Sequence, residues 1–578
     1  MWSPAETRIG RVSEVSGPRV TVRLDAELTS ASPIWQGELV PLGLVGSVIV
    51  FPQGPIRLLA VTRGARTTEM PTPTSDAVGD SGPRWLEADL IGEVDDQGRF
   101  ERGADLTPAI GDFAHFATSD LLGAVYGSAG GSLLEVGFLS SMPSTPVSLD
   151  LAKLVARHVG VFGASGSGKT NFVAHLVQRI AASENKHAHI VVIDTQGEYA
   201  DALDAQATVL RPNVDGGFEI PAWAFPCRQL LATLIGREPS DIEADGFADV
   251  VVELRRAHAE ESDWLNIDSS AINPDTPIPY DLKAAWFEFD RRNHAVYEDR
   301  NDQGAEMFAT RGSPADLMPS QHDQYGAGSA APFKGSRHGA FRDAPRRMRA
   351  RMRDPRFHFL LPLADWPHVS EDPLAGYLAR WASRASGVVV LDLQALTAEA
   401  TQIAVSAVLD FSLELAVRSR ELPNADAHPL LLVIEEAHRY FEVGSQSSDT
   451  RRALERVARE GRKYGVGLAL VSQRPSDIAA TVLAQLGTFM GFRLTNSSDV
   501  AAVTAALPDA VGNIASSLST LRTGEVVMSG EAVGVPSRVR MPRPTPEPRS
   551  GDAATARWQT EPSAGSLVEA LALVRQYR

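Results

Sequence analysis

A short run of glycine and small residues, Gly163-Ala164-Ser165-Gly166-Ser167-Gly168-Lys169-Thr170, is the first feature of this 578-residue chain that points to chemistry. It matches the spacing G-x-x-x-x-G-K-[ST], in which glycines let backbone N–H groups and a helix amino terminus face the phosphates of a nucleotide. In that reading Lys169 reaches the β- and γ-phosphates of ATP, and the Thr170 hydroxyl binds Mg²⁺. The apolar run Val159 to Phe162 precedes the loop and a helical pattern, Asn171 to Ala182, follows it. This is the strand-loop-helix context the motif requires; the alternative is a chance match in a Gly/Ser loop.

Binding alone does not hydrolyse a nucleotide, so carboxylates are expected on an adjacent strand. Leu430-Leu431-Leu432-Val433-Ile434 reads as a buried strand, and Glu435 and Glu436 emerge at its carboxyl end. Open α/β sheets place their sites at that end. Glu435 is the candidate for the Mg²⁺ shell and Glu436 for orienting and activating the attacking water; the alternative is that both acids cap the helix starting near Ala437. After a further apolar run, Leu468 to Val471, Gln473 is a candidate sensor of the γ-phosphate or of that water, or else part of a turn before Pro475. Asp194, followed by Gln196-Gly197-Glu198-Tyr199, is a candidate near the metal or water, or a helix cap.

Two clusters of cations remain. Between Arg451 and Lys463, Leu454, Val457 and Ala458 form an i, i+3, i+4 apolar stripe, while Arg452, Arg456, Arg459 and Lys463 share another helical face. Arg459 and Arg462 are candidates for stabilising γ-phosphate charge from a neighbouring subunit, against a merely solvated basic face. Farther upstream, Arg342, Arg346, Arg347, Arg349, Arg351, Arg353 and Arg356 put seven arginines within fifteen residues. They could grip phosphates, cover a charged exterior or meet another subunit.

The elements that must position these residues follow from periodicity. Period-two runs such as Arg19-Val20-Thr21-Val22-Arg23-Leu24, separated by Ser16-Gly17-Pro18 and Gln53-Gly54-Pro55, predict a small amino-terminal β-barrel over residues 1–145. Thr67 to Pro83 reads as a long loop within it, and a junction is expected near Ser141 to Pro146. Beyond it, short apolar runs alternate with helical patterns, as in a buried parallel sheet. That sheet is expected in two parts, 146–220 and 388–540. A largely helical insertion over 221–387 separates them, and its middle, Gly312 to Gly339, is rich in Gly, Ser and Pro. Residues 541–578 read as a Pro-rich linker and an amphipathic brace helix, Leu567 to Arg575. The fold class is α/β, a RecA-like P-loop ATPase core with a barrel in front of it.

Composition sets outer limits. A net charge of -17 argues against a protein that coats nucleic acid over its whole surface, and leaves room for a narrow basic channel. The single cysteine, Cys227, excludes an internal disulfide framework or a multi-cysteine metal site. No stretch reads as a membrane span and the first residues lack the pattern of a secretion signal, so a cytoplasmic protein is expected.

Taken together, the loop Gly163 to Thr170, the stretch Asp194 to Tyr199, Ile434-Glu435-Glu436-Ala437-His438, Arg459 to Gly465 and Ser472-Gln473-Arg474-Pro475 resemble the HerA family of hexameric DNA translocases, related to FtsK-type motors. The resemblance implies a homo-hexamer with ATP and Mg²⁺ between subunits, double-stranded DNA in the central pore and a barrel capping the ring. It also implies a nuclease or sirtuin-like effector partner, in DNA end resection or in defence against phage. The alternative from another class is a hexameric scaffold whose ATPase regulates an effector without moving along DNA.

Overall fold

The computed structural model describes residues 6–28, 32–35, 37–67, 83–127, 132–185, 187–214, 216–325, 331–360, 372–383, 387–422, 429–441, 447–507 and 516–549, with 567–569, 571–572 and 575 at the carboxyl end. Two β systems organise them. The first is a barrel with strands in the order Arg19–Leu24, Arg8–Ser16, Phe113–Phe116, Val48–Gln53, Ile56–Thr67 and Arg84–Val94, the last pairing back onto the first. Closure gives each of these six strands a partner on both sides, and Phe100–Arg102 adds a further strand at the end of Arg84–Val94. Val20, Val22, Ile49, Leu58 and Leu86 fill its interior with no exposed surface, while Arg19 and Arg23 alternate outward. Of the expected loop Thr67 to Pro83, residues 68–82 lie outside the described residues.

The second system is an eleven-stranded sheet. Seven strands run parallel in the order Ala207–Leu210, Val388–Asp392, His189–Asp194, Leu430–Ile434, Val466–Ser472, Val159–Phe162 and Thr488–Gly491. All but the outermost of these, Ala207–Leu210, are buried along their whole length. Helices cover both faces of such a sheet, which is why the strands read as unbroken apolar runs rather than alternating ones. Glu525–Gly530, Ser537–Arg540, Leu133–Leu139 and Met142–Asp150 then extend the sheet antiparallel. The expected junction near Ser141 to Pro146 therefore falls inside a hairpin of the core sheet, and the last barrel strand ends at Phe116. Proline and serine mark a hairpin turn and an interdomain linker alike.

Between the two parts of the sheet, helices Cys227–Ile235, Asp241–Glu260, Leu282–His294, Ala344–Met352 and Pro373–Leu378 accompany two short ladders. The segment Gly312 to Gly339 contributes Gln321–His322 and Phe333–Lys334 to those ladders. Cys227 is buried, and burial pushes its thiol up to about 12. Helix Ala398–Ser419 is, against the expectation, long and apolar enough to cross a membrane. Its buried residues Ala404, Val405, Val408, Leu409 and Leu413 belong to the main core, which accounts for that apolarity by packing.

The antiparallel extension bears directly on the phosphate loop, because the Gly524 amide at its start donates to the Ser167 carbonyl at 3.1 Å. The strand ends at Gly530, whose φ of 121° suits only glycine and where a Cβ would overlap the Gly487 carbonyl. Gly530→Ala is expected to destabilise the core by about 1–3 kcal/mol and to weaken nucleotide binding with it. Calorimetry with and without nucleotide measures both effects; an unchanged melting temperature would remove this strand from the bracing of the loop.

Candidate active site

Parallel pairing brings the carboxyl ends of Val159–Phe162, Val466–Ser472, Leu430–Ile434 and His189–Asp194 to one edge of the sheet. The loops bearing Lys169, Gln473, Glu435, Glu436 and Asp194 emerge there side by side. The acids do not stand on the strand next to the phosphate loop, as the sequence suggested. Val466–Ser472 lies between and pairs with both neighbours. The chain leaves Glu436, passes through helix Ser447–Tyr464 and returns into the gap, so Gln473 emerges between the loop and the acids.

The loop itself is held from three sides. Gly163 N donates to Ser472 O at 3.2 Å, Ala164 N to Arg493 O at 2.8 Å, and Gly524 N reaches Ser167 O. A Cβ at Gly163 would sit 2.5 Å from the Phe492 Cβ and 2.6 Å from the Ser167 Oγ. Gly166 and Gly168 take φ values of 69° and 111°, and Ser165 and Gly166 form the exposed tip. Helix Lys169–Ala182 starts at Gly168 with no side-chain cap, so its first amides and its positive dipole end are left for an anion. The Ser167 hydroxyl is buried without a hydrogen-bond partner.

Around this loop the side chains form a connected network. Lys169 Nζ donates to its own loop at Ala164 O, 3.2 Å away. Burial lowers its pKa, while Glu435, Glu436 and Glu198 pull the other way. Thr170 Oγ1 donates to Glu198 Oε2 at 2.9 Å. Glu435 is buried and accepts a hydrogen bond from the Tyr199 hydroxyl. That burial holds the Glu435 carboxyl well above the usual carboxylate range, with the tyrosine opposing it. Glu436 has left-handed backbone angles, φ 48° and ψ 45°, a strained conformation for a non-glycine residue. Its Oε1 accepts from Gln196 Nε2 at 3.0 Å and from Gln473 Nε2 at 3.2 Å. Its Oε2 is buried without a hydrogen bond; His438 Nδ1 lies 3.2 Å away but turns to Ser472 Oγ.

Asp194 has a different place. Its carboxylate accepts the amides of Gln196, Gly197 and Tyr199 at 3.0, 2.8 and 2.9 Å, so its oxygens tie down the loop that carries Gln196, Glu198 and Tyr199. Those three residues, with His438, are the part of the site to which the sequence reading gave no roles. Their signal was the Gln-Gly-Glu-Tyr run directly after a buried strand. The carboxyl-terminal segment rests on the same loop: Arg549 N donates to Glu198 O at 3.1 Å, and Gln178 bonds Thr545 N and Pro546 O.

These residues fit ATP with Mg²⁺. A glycine cradle, a lysine and a helix amino terminus suit phosphates, and the carboxylates of Glu198, Glu435 and Glu436 outnumber the single Lys169 that they surround. Among the described residues no three His, Cys, Asp or Glu side chains form a cage of their own for a metal. Mg²⁺ is commonly held by one or two carboxylates plus substrate phosphates and water instead.

Arg459 and Arg462 are not brought to this edge. Both are exposed on helix Ser447–Tyr464, whose buried stripe is Leu454, Val457 and Ala458. Arg462 lines a cavity of about 450 Å³ with Ile190 and Leu431, at the amino ends of the strands. The upstream cluster is largely taken up within the chain: Arg351 pairs with Glu399, Arg356 with Asp354, Arg347 with Asp343, and Arg353 donates to the Asp316 and Leu317 carbonyls.

Known proteins share this organisation in sequence. The family model "Helicase HerA, central domain" matches residues 134–411, and "Helicase HerA-like C-terminal" matches 379–561. The DNA double-strand break repair helicase HerA of Pyrococcus furiosus is 25% identical over 460 residues, covering 75% of this chain and 73% of that protein. Its namesake in Saccharolobus solfataricus is 25% identical over 438 residues, 76% of this chain and 73% of that one. Among solved structures, VirB4 of Thermoanaerobacter pseudethanolicus aligns at a TM-score of 0.43 and 15% identity, over 72% of this chain and 97% of that one. With two overlapping family models together spanning residues 134–561, the chain belongs to the HerA helicase family and is a P-loop ATP hydrolase.

Proposed function

We propose that this protein is a ring-shaped motor, a homo-hexamer, that hydrolyses ATP between subunits and translocates on double-stranded DNA threaded through its pore. The observation that carries the hydrolytic part is the Glu436 carboxylate. One oxygen is fixed by two amides and the other is buried without a hydrogen bond, close to the phosphate-loop lysine. A general base is effective when its acceptor atom is held in place and desolvated; the two amides on Oε1 hold the carboxylate, and burial desolvates Oε2.

Gln196 and Gln473 keep the Glu436 carboxylate from turning. Oε2 then accepts a proton from the attacking water as that water meets the γ-phosphate. Lys169 swings from the Ala164 carbonyl to the phosphates and neutralises charge that develops on their oxygens. Thr170 and Glu435 would hold Mg²⁺, which when bound would supply Lewis-acid withdrawal of charge from the phosphates. For Thr170 to serve there, it must release Glu198. Asp194 acts as a positioning residue for the loop on which Gln196 stands.

Arg459 and Arg462 are assigned in trans. They sit at the sheet edge away from their own Lys169, and their exposure on the helix leaves them available to a neighbour in a ring. The link with DNA rests on family membership and on relatives named as double-strand break repair helicases. A nuclease or sirtuin-like effector belongs to the same proposal, with roles in DNA end processing or phage defence. A scaffold that regulates such an effector without moving is the competing reading.

Three measurements separate these claims. Glu436→Gln should lower kcat by about 10²–10⁴-fold while nucleotide affinity stays within a few-fold; near-normal turnover would free Glu436 of the role. Adding duplex DNA should raise ATP turnover, and Lys169→Ala should abolish both turnover and that response. A rate indifferent to every duplex, with and without a partner, favours the scaffold. In rings mixing Lys169→Ala with Arg462→Ala subunits, residual turnover should fall below that of rings mixing Lys169→Ala with wild type; equal rates would end the assignment in trans.

A further inference from the structure

The strand register of the barrel aligns a row of residues unrelated to the nucleotide site. Phe113 pairs with Arg11, Arg11 with Arg23, Arg23 with Trp85, and Trp85 with Arg66, on five consecutive strands. Directly opposed residues share one face of a sheet. Val12, Val22 and Leu86, which follow or precede them in sequence, fill the interior, so the row lies on the outside. Strands about 4.8 Å apart give the row a span of roughly 19 Å.

Its electrostatics are unusual for so acidic a chain. Arg11 lies 4.1 Å and Arg8 4.8 Å from the Phe113 ring centre, so one aromatic ring orders two guanidinium groups. Arg8 pairs with Asp25 at 2.8 Å and Arg66 with Glu87 at 3.1 Å. Arg11 donates to the Gly111 carbonyl at 3.2 Å, and among the described residues no carboxylate pairs with Arg11 or with Arg23. Like charges placed directly opposite each other cost a sheet stability. Two opposed arginines with no acid between them are therefore unfavourable for the barrel alone and favourable toward an anion.

We infer that this row is a docking track for single-stranded nucleic acid running across the barrel strands. Guanidinium groups would meet phosphates, while the planar faces of Trp85 and the ordered arginines would stack bases, the combination by which sequence-tolerant strand binders work. An acidic protein surface would use the charge but gain nothing from the alternation of planar groups. The track extends the DNA-motor reading to a second surface and requires neither ATP turnover nor duplex in the pore.

The test uses the full-length protein and a fluorescent oligothymidylate. Arg11→Glu combined with Arg23→Glu should weaken binding at least about 30-fold and reduce the salt slope by roughly 1.4, the share of two phosphate contacts. Arg11→Gln with Arg23→Gln, which removes charge without reversing it, should weaken binding to a smaller extent in the same direction. Trp85→Leu should weaken binding with the slope unchanged, and basal ATP turnover should stay at the wild-type rate in all three. Wild-type protein that ignores the oligonucleotide, or variants that bind it equally well, would overturn the track. So would variants that keep the oligonucleotide but lose an acidic protein partner. Duplex-stimulated turnover, measured in parallel on wild type, reports on the motor reading separately.

Discussion

The site depends on the parallel ladder that joins four strands. Because Val466–Ser472 bonds to the phosphate-loop strand on one side and to the acid-bearing strand on the other, the distance between Lys169 and Glu436 is set by backbone hydrogen bonds. Each strand is buried on both faces, so a shift of register would carry apolar side chains and the loop ends along with it. Side chains standing on such ends inherit the rigidity of the sheet. Strain such as the left-handed backbone of Glu436 can persist only where its surroundings over-determine it.

Electrostatics complete that arrangement. Lys169 faces three carboxylates in an enclosed space, and burial raises Glu435 and Glu198 while it lowers Lys169. Such a cluster is poorly balanced by itself, and the neighbours answer with hydrogen bonds: Tyr199 to Glu435, Thr170 to Glu198, and two glutamines to Glu436. Several of these bonds come from the single loop Asp194 to Tyr199. That loop is the joint between the sheet edge, the phosphate-loop helix and the carboxyl-terminal segment.

Much of this was legible in the residues themselves. Gly163 to Thr170 announces itself because the backbone geometry it needs leaves few alternatives, and the buried strands stand out as uninterrupted apolar runs. Glu435, Glu436 and Gln473 could be picked out because each follows such a run. What stayed hidden was order in space. Nothing local in Leu468 to Val471 says that this strand inserts between the other two, since strand order is decided by long-range packing. The hairpin Leu133 to Asp150 is hidden for a related reason: its turn chemistry does not say which sheet its strands join. Gln196 and Tyr199 carry no role that sequence alone assigns, because a glutamine or a tyrosine after a strand has no chemistry until the Glu435 and Glu436 opposite them are in place. The aromatic and arginine row on the barrel was equally invisible, being spread over residues 11 to 113 and assembled only by pairing.

Val466–Ser472 has Gln473 at its carboxyl end, and its amino end follows directly on the helix that carries Arg459 and Arg462. Seven residues of extended chain make a rod of about 23 Å, clamped along both sides and unable to buckle. Any pull on the helix end that carries the arginines would be a pull on the same girder that holds the glutamine against Glu436, so the two ends of the domain share one mechanical axis.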